Sequence, residues 1–187
     1  MKVVDLLDEK LYEACTALSR KIDCSIDLII GIAEGGRFVA EVVAKKLDRP
    51  LLIVKKQRKL TKKKNNLKKL LPFFPKPILN GLRIVESLLY ECFFNKAWKD
   101  QSNDVAFVSE DFSFLYNENV QTVLLIDDAI DSGSTIKDCL QFLLKQREDL
   151  QIKVAVITQT CKRPFYNPDY KMYTETLIRF PWSNDVR

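Results

Sequence analysis

The chain has 187 residues, which is enough for one domain with a sizeable hydrophobic core. Hydrophobic residues make up 47% and charged residues 29%, as is typical of a soluble globular protein. The absence of histidine excludes Ser–His and Cys–His triads, histidine metal sites and histidine acid–base catalysis. Any catalysis must therefore use carboxylates, lysines, backbone donors or a metal carried by the substrate.

Charge and cysteine usage indicate the cellular setting. The net charge is +5, but residues 55–69 hold nine Lys/Arg and no acid; the remaining 21 basic and 25 acidic residues carry a net −4. The basicity is therefore one local patch. The five cysteines are widely spaced and odd in number, which is typical of reduced thiols. Residues 1–8 predict no secretory signal, and no window predicts a membrane span, so we expect a cytoplasmic protein.

The first third of the chain alternates helix and strand patterns. Residues 3–22 predict an amphipathic helix, and 26–32 predict a buried strand. A turn at 33–36 precedes a predicted helix at 37–47, and another short strand is predicted at 51–54. Taken alone, the glycine pair in the turn indicates no more than a tight bend.

The region 56–104 is predicted to be an insertion, because the two flanking strands are too far apart for an ordinary connection. Its lysines lack interleaved aromatic residues, which favours a solvated loop over a nucleic-acid site. Three prolines within 71–77 exclude regular helix there, and an apolar helical face follows. A lid, a dimer contact, or a membrane-surface anchor using 55–98 remain open as its role.

The most informative stretch follows a predicted short strand or hairpin at 105–108. A buried strand at 123–126 ends on two adjacent carboxylates, and a third follows after two apolar residues. Small residues then lead into a helical pattern that begins near Ile136. The acidic and small residues of this motif are Asp127, Asp128, Asp131, Ser132, Gly133, Ser134 and Thr135.

The chemistry of this motif favours a phosphorylated sugar. A small-residue turn at a helix N-terminus binds anions, because unpaired N–H groups and the helix dipole point outward. Two acids beside an anion site are reasonable if they accept hydrogen bonds from sugar hydroxyls or face a divalent cation. The alternative is an ordinary strand–turn–helix with Asp/Ser caps, but one N-cap needs one acid rather than three.

The stretch 122–136 resembles the phosphoribosyl pyrophosphate signature of the type I phosphoribosyltransferases. The resemblance implies that Asp127 and Asp128 hold the ribose hydroxyls and face Mg²⁺, the cofactor it implies. It further implies that residues 132–135 bind the 5-phosphate, and that Asp131 also touches the substrate and handles the acceptor proton.

The turn after the first buried strand is similar to the diphosphate loop of the 6-oxopurine members. The resemblance implies that backbone N–H groups at Ala33, Glu34, Gly35 and Gly36 bind the diphosphate, and that Lys55 contributes a charge. Those members usually carry arginine before the glycine pair. Here the residue is Glu34, and a carboxylate near a diphosphate is unfavourable unless it points away or meets magnesium.

The C-terminal part resembles the hypoxanthine and xanthine-guanine phosphoribosyltransferases. After a predicted strand at 153–158, a lysine and a Tyr-rich hairpin ending in Phe-Pro-Trp follow. The resemblance implies that Lys162 reads the exocyclic oxygen of the purine, that Leu177 and Ile178 lie on the ring, and that Asp185 assists with the metal. Trp182 is expected to serve packing.

These patterns together predict one α/β domain spanning 1–187, with a mostly parallel sheet flanked by helices and a small hood at about 162–187. The first functional hypothesis is Mg²⁺-dependent transfer of phosphoribose to a 6-oxopurine or related acceptor, by a chain expected to form homo-oligomers. The second is a binding module that senses phosphoribosyl pyrophosphate or a nucleotide. It would dock to a partner or membrane through 55–98.

Overall fold

We describe the fold from a computed structural model, which covers residues 2–56 and 102–183. These residues form three helices and eight strands, with short 3₁₀ turns at Ser102–Asp104 and Ser113–Tyr116. The helices are α1 Asp8–Lys21, α2 Gly35–Leu47 and α3 Ser134–Gln146. The strands are β1 Lys2–Asp5, β2 Leu28–Ala33, β3 Leu51–Lys56, β4 Val105–Phe107, β5 Thr122–Ile130, β6 Gln151–Gln159, β7 Tyr170–Thr174 and β8 Thr176–Arg179.

The central sheet has six strands in the order β4-β3-β2-β5-β6-β7. All neighbours run parallel except β3 and β4, which are antiparallel. The chain moves from β2 to β3 through α2, and from β5 in the opposite direction to β6 through α3. The strand order therefore reverses between β2 and β5, and ligands of open α/β sheets bind at the carboxyl ends of strands at such a point.

Both faces of the central sheet are covered by helices. One buried cluster joins α1 and α2 to Ile29, Leu124 and Ile157 of the sheet. The other joins α3 to Ile30 and Leu125, whose side chains point to the opposite face. Strands buried on both faces explain the nearly continuous apolar runs that identified them in the sequence. The predicted α/β fold with a mostly parallel sheet and flanking helices is thus confirmed.

Two sequence-based element predictions were wrong. The helix predicted at 3–22 begins only at Asp8, because residues 2–5 form β1 and pair in parallel with β8. The predicted C-terminal hairpin does not form: β7 pairs with β6 in the central sheet, whereas β8 pairs with β1. Glu175 lies between them with a φ of 51°, and the chain changes sheet at this residue. Strand propensity alone does not say which partner a strand will find.

The predicted insertion lies almost entirely outside the described residues. Its first residue, Lys56, ends β3, and its last three form the turn Ser102–Asp104 before β4. The bounds of the insertion and of the hood stay predictions. Among the helices that the structure describes, none has the length and apolarity needed to cross a bilayer.

A buried ion pair joins the end of β3 to the helix α3. The Lys56 ammonium donates to Asp138 of α3, and these side chains are 11% and 1% exposed. Two charges removed from water stabilise a fold only while both are present, since either one alone is an uncompensated buried charge.

We expect Asp138→Ala to lower the free energy of unfolding by about 3–5 kcal/mol, because Lys56 then stays buried without its carboxylate. Urea denaturation measures this. The control is Asp149→Ala, which removes the exposed partner of Arg147 and should change the midpoint little. Equal losses for the two variants would contradict the structural role of the buried pair.

Candidate active site

The two adjacent acids lie at the carboxyl end of β5, beside the point where the strand order reverses. The Asp128 N–H donates to Asp127 Oδ1 over 2.9 Å, so the backbone orients the first carboxylate. The second carboxylate accepts a hydrogen bond from Trp182 Nε1 at 2.7 Å on its Oδ2. Burial raises the pKa of Asp128, because removal from water disfavours the charged form; the hydrogen bond from Trp182 opposes this shift.

The serine-rich loop forms the predicted turn into α3. Gly133 has a φ of 78° and immediately precedes the helix, which is a conformation that glycine adopts without steric cost. The Ser134 N–H donates to Ser132 Oγ over 3.3 Å, and the Phe165 N–H donates to the Ser132 carbonyl over 2.7 Å. The loop is therefore braced from two sides, with a helix N-terminus behind it that favours anions.

Asp131 lies between the acid pair and the loop. It is exposed, and its Oδ1 accepts a hydrogen bond from the Thr160 hydroxyl at the end of β6. The Thr160 N–H in turn donates to the Ile130 carbonyl over 2.9 Å. Two neighbouring strand ends therefore hold this carboxylate in place while it remains accessible to a substrate.

The glycine pair at the start of α2 packs directly against the acids. A methyl group at position 35 would lie 2.0 Å from Asp128 Oδ2 and 2.8 Å from Trp182 Nε1. A methyl group at position 36 would lie 2.7 Å from Asp127 Cα. The absence of side chains at both glycines thus lets α2 approach β5 closely. The predicted diphosphate loop therefore lies in contact with Asp127 and Asp128, the predicted ribose-binding acids. The Ala33–Glu34 peptide bond in this loop is cis.

Glu34 and Lys55, at the ends of neighbouring strands, form an ion pair. The Lys55 ammonium donates to Glu34 Oε1, and their side chains are 48% and 80% exposed. The hydrogen bond from Lys55, followed by its positive charge, lowers the pKa of Glu34. In this arrangement Glu34 turns toward the lysine expected to contact a diphosphate.

The chain matches a known protein family. A family model described as "Phosphoribosyl transferase domain" matches residues 3–186, nearly the whole chain. The chain belongs to this family. Its activity class is phosphoribosyl transfer, and the resemblance of the aspartate motif to that family is confirmed.

Solved structures share the fold of this phosphoribosyltransferase. A purine phosphoribosyltransferase from Pyrococcus horikoshii OT3 matches with a TM-score of 0.60 and 21% identity, over 98% of this chain and 95% of that one. A xanthine-guanine-hypoxanthine phosphoribosyltransferase from Helicobacter pylori matches at 0.58 and 12%, over 96% and 91%. A hypothetical protein from Neisseria gonorrhoeae with bound ppGpp matches at 0.55 and 20%, over 97% and 89%. No curated protein matches the chain significantly.

The predicted base-binding residues of the phosphoribosyltransferase lie just after β6 and on β8. Lys162 is exposed and forms a 3.6 Å ion pair with Glu175. Leu177 on β8 is half-buried, whereas Ile178 is 4% exposed and packs into the core with α1 and α2. The Ile178 side chain therefore faces the core, so the prediction that this side chain lies on the ring is wrong. Asp185 lies outside the described residues.

Trp182 is the site residue that sequence reasoning missed. It was expected to serve packing, and it does stack on Phe180 with a centroid distance of 5.1 Å and an interplanar angle of 2°. Its indole N–H, however, reaches an acid 54 residues earlier in the chain. The signal in the sequence was an aromatic residue in a Phe-Pro-Trp run, but nothing there indicates its partner.

Asp127 and Asp128 are the described residues that would hold a metal ion. Within residues 2–56 and 102–183, no group of three or more acids, cysteines or histidines is arranged to hold an ion. Asp128 Oδ2 is already hydrogen bonded to Trp182. Carboxylate oxygens are ligands that Mg²⁺ accepts, so the acid pair fits such an ion, which would supply positive charge beside a diphosphate.

The two glycines predict different mutant behaviour. Gly35→Ala meets the movable end of the Asp128 side chain, so we expect near-normal stability and at least a tenfold weaker binding of phosphoribosyl pyrophosphate, on the order of 1.4 kcal/mol. Gly36→Ala meets the backbone of residues 126 and 127, so we expect about 1–3 kcal/mol lower stability. Thermal unfolding and calorimetric titration of both variants check this, and a G35A protein that binds like the wild type would be evidence against the close approach.

Proposed function

We propose that this phosphoribosyltransferase transfers the 5-phosphoribosyl group from phosphoribosyl pyrophosphate to a 6-oxopurine base and releases diphosphate. The observation that carries the proposal is the meeting of an acid pair, a third acid and an anion-binding loop at one sheet edge. The fold shared with a purine phosphoribosyltransferase supports the acceptor class.

The proposed roles follow from the placement of each group. Asp127 and Asp128 accept hydrogen bonds from the ribose hydroxyls, and the loop 132–135 holds the 5-phosphate through N–H and hydroxyl donors. The turn 33–36 donates backbone N–H groups to the diphosphate, and Lys55 adds a positive charge to it. Mg²⁺, bound with the substrate and facing the acid pair, would neutralise charge on the leaving diphosphate. Asp185 as a further metal contact remains part of the proposal.

Acceptor binding uses the groups around β6 and β8. Lys162 donates to the exocyclic oxygen of the base, while Leu177 lies against the ring. Asp131 accepts the proton that the acceptor nitrogen loses, and the Thr160 hydroxyl keeps its carboxylate oriented. Positioning of the acceptor against C1 of the ribose does much of the remaining work.

A screen of acceptors tests the proposal. Purified full-length protein is incubated with phosphoribosyl pyrophosphate, Mg²⁺ and single bases, and released diphosphate is measured. Release with hypoxanthine, guanine or xanthine is expected. Release only with adenine, orotate or another acceptor would remove the 6-oxopurine assignment, and silence with every acceptor would remove the transfer reaction.

A second candidate function is a binding module that senses phosphoribosyl pyrophosphate or a nucleotide. Its supporting observation is the pairing of Lys55 with Glu34, which keeps the expected diphosphate contact occupied by a carboxylate. The fold is also that of a gonococcal protein with bound ppGpp, a ligand that carries diphosphates. Docking through 55–98 belongs to this candidate. Tight nucleotide binding without turnover would favour it.

Asp131→Asn should lower kcat by about 100-fold or more, since general acid–base groups contribute factors of roughly 10² to 10⁴. The KM for phosphoribosyl pyrophosphate should change little, because the amide retains the contact with Thr160. Steady-state diphosphate release measures both constants. Asp111→Asn, an exposed acid in a remote turn, serves as the control. A kcat within threefold of the wild type would exclude Asp131 as the proton acceptor.

Glu34→Gln should lower the KM for phosphoribosyl pyrophosphate about three- to tenfold, because it removes a negative charge near the diphosphate and releases Lys55. The pKa of Glu34 is lowered, so the carboxylate is charged at neutral pH and the effect should hold across that range. Salt should reduce the difference, as both groups are exposed. Glu41→Gln, which removes the exposed partner of Arg37, is the control. A higher KM in E34Q would indicate that Glu34 assists binding.

A further inference from the structure

The segment that carries Trp182 is a braced turn after β8. The Phe180 N–H donates to Ser183 Oγ over 3.0 Å, and the Ser183 N–H donates to the Phe180 carbonyl over 2.9 Å. Phe180 is 4% exposed and belongs to the core, and its ring stacks on the indole. The ring of Phe38 on α2 lies 6.1 Å from the indole on another side. Trp182 is therefore held against the site, yet it is itself 39% exposed.

The indole lies against one of the two acids and against the glycine pair that begins α2. Its Nε1 is 2.7 Å from Asp128 Oδ2, and a methyl group on Gly35 would come within 2.8 Å of it. The Ala129 N–H also donates to Asp128. Of these two donors, the indole is the one that can move toward solvent without opening the core, because it is partly exposed.

We propose that Trp182 is a gate on the pentose site, and that its indole N–H occupies the position on Asp128 that a ribose hydroxyl takes when phosphoribosyl pyrophosphate binds. This inference rests on the proposed function. The exchange replaces one donor by another, so this oxygen of the half-buried carboxyl always has a hydrogen-bond partner; leaving it without one would be costly. The turn at 180–183 carries the indole away while Phe180 stays in the core.

The first test follows the indole directly. Protein with ¹⁵N-labelled tryptophan gives two indole N–H resonances, and Trp98→Phe assigns the one from Trp182. We expect Asp128→Ala to shift this resonance in the ligand-free protein. Saturating phosphoribosyl pyrophosphate with Mg²⁺ should shift it in the same direction in W98F, because both changes end the hydrogen bond.

The second test measures competition. Trp182→Phe keeps an aromatic ring on Phe180 but removes the donor, so we expect the KM for phosphoribosyl pyrophosphate to fall about tenfold in the W98F background, since the indole no longer competes for a carboxylate. Phe114→Leu, a change at an exposed aromatic residue outside the site, is the control. Circular dichroism confirms that each variant is folded.

The outcomes separate the gate from the transfer reaction. An unmoved Trp182 resonance at saturating phosphoribosyl pyrophosphate, or a W182F KM that is unchanged or higher, overturns the gate and leaves the proposed function intact if diphosphate is released. Displacement of the indole without diphosphate release from any acceptor supports the gate and overturns the transfer reaction. Absence of both displacement and release overturns both.

Discussion

The close approach of α2 to the carboxyl end of β5 is the constraint on which the site depends. Gly35 and Gly36 have no side chains, so the start of the helix lies against the acid pair. Because β2 and β5 are parallel neighbours, α2 and α3 both begin at the same sheet edge, where the strand order reverses. One edge thereby gathers two sets of backbone donors and three carboxylates, which suits a substrate with phosphate at both ends and hydroxyls between them.

The charges at this edge are balanced by neighbours from several strands. Glu34 pairs with Lys55 at the surface, and Lys56 pairs with Asp138 in the interior. The two adjacent lysines thus have partners on opposite faces of the sheet, since successive side chains of a strand point to opposite faces. Among the described residues, Asp128 is paired with an indole N–H rather than with a cation. Hydrogen-bond donors to the three aspartates fix their orientation and reduce the repulsion among their negative charges.

Several features were predictable because they are local. The apolar run before Asp127 identified β5, and the small residues after Asp131 identified the turn into α3. The left-handed conformation of Gly133 came from the structure. The glycine pair was predicted to lie in a turn before the helix, but it forms the first residues of α2, and its close packing against β5 was not predicted. Asp131, Lys162 and Leu177 were selected by resemblance, and their roles remain proposals. The partners of Asp131 and Lys162, Thr160 and Glu175, came only from the structure.

By itself, the sequence determined the order of strands and helices from β2 to β6, the acid motif and the absence of histidine chemistry, because these depend on residue type and short spacing. Only the tertiary structure decided the pairing of β1 with β8, the separation of β7 from β8, and the contact between Trp182 and Asp128. It also showed that Ile178 faces the core. Such contacts join residues far apart in the chain, and periodicity carries no information about which distant segment will fill the space beside a given side chain.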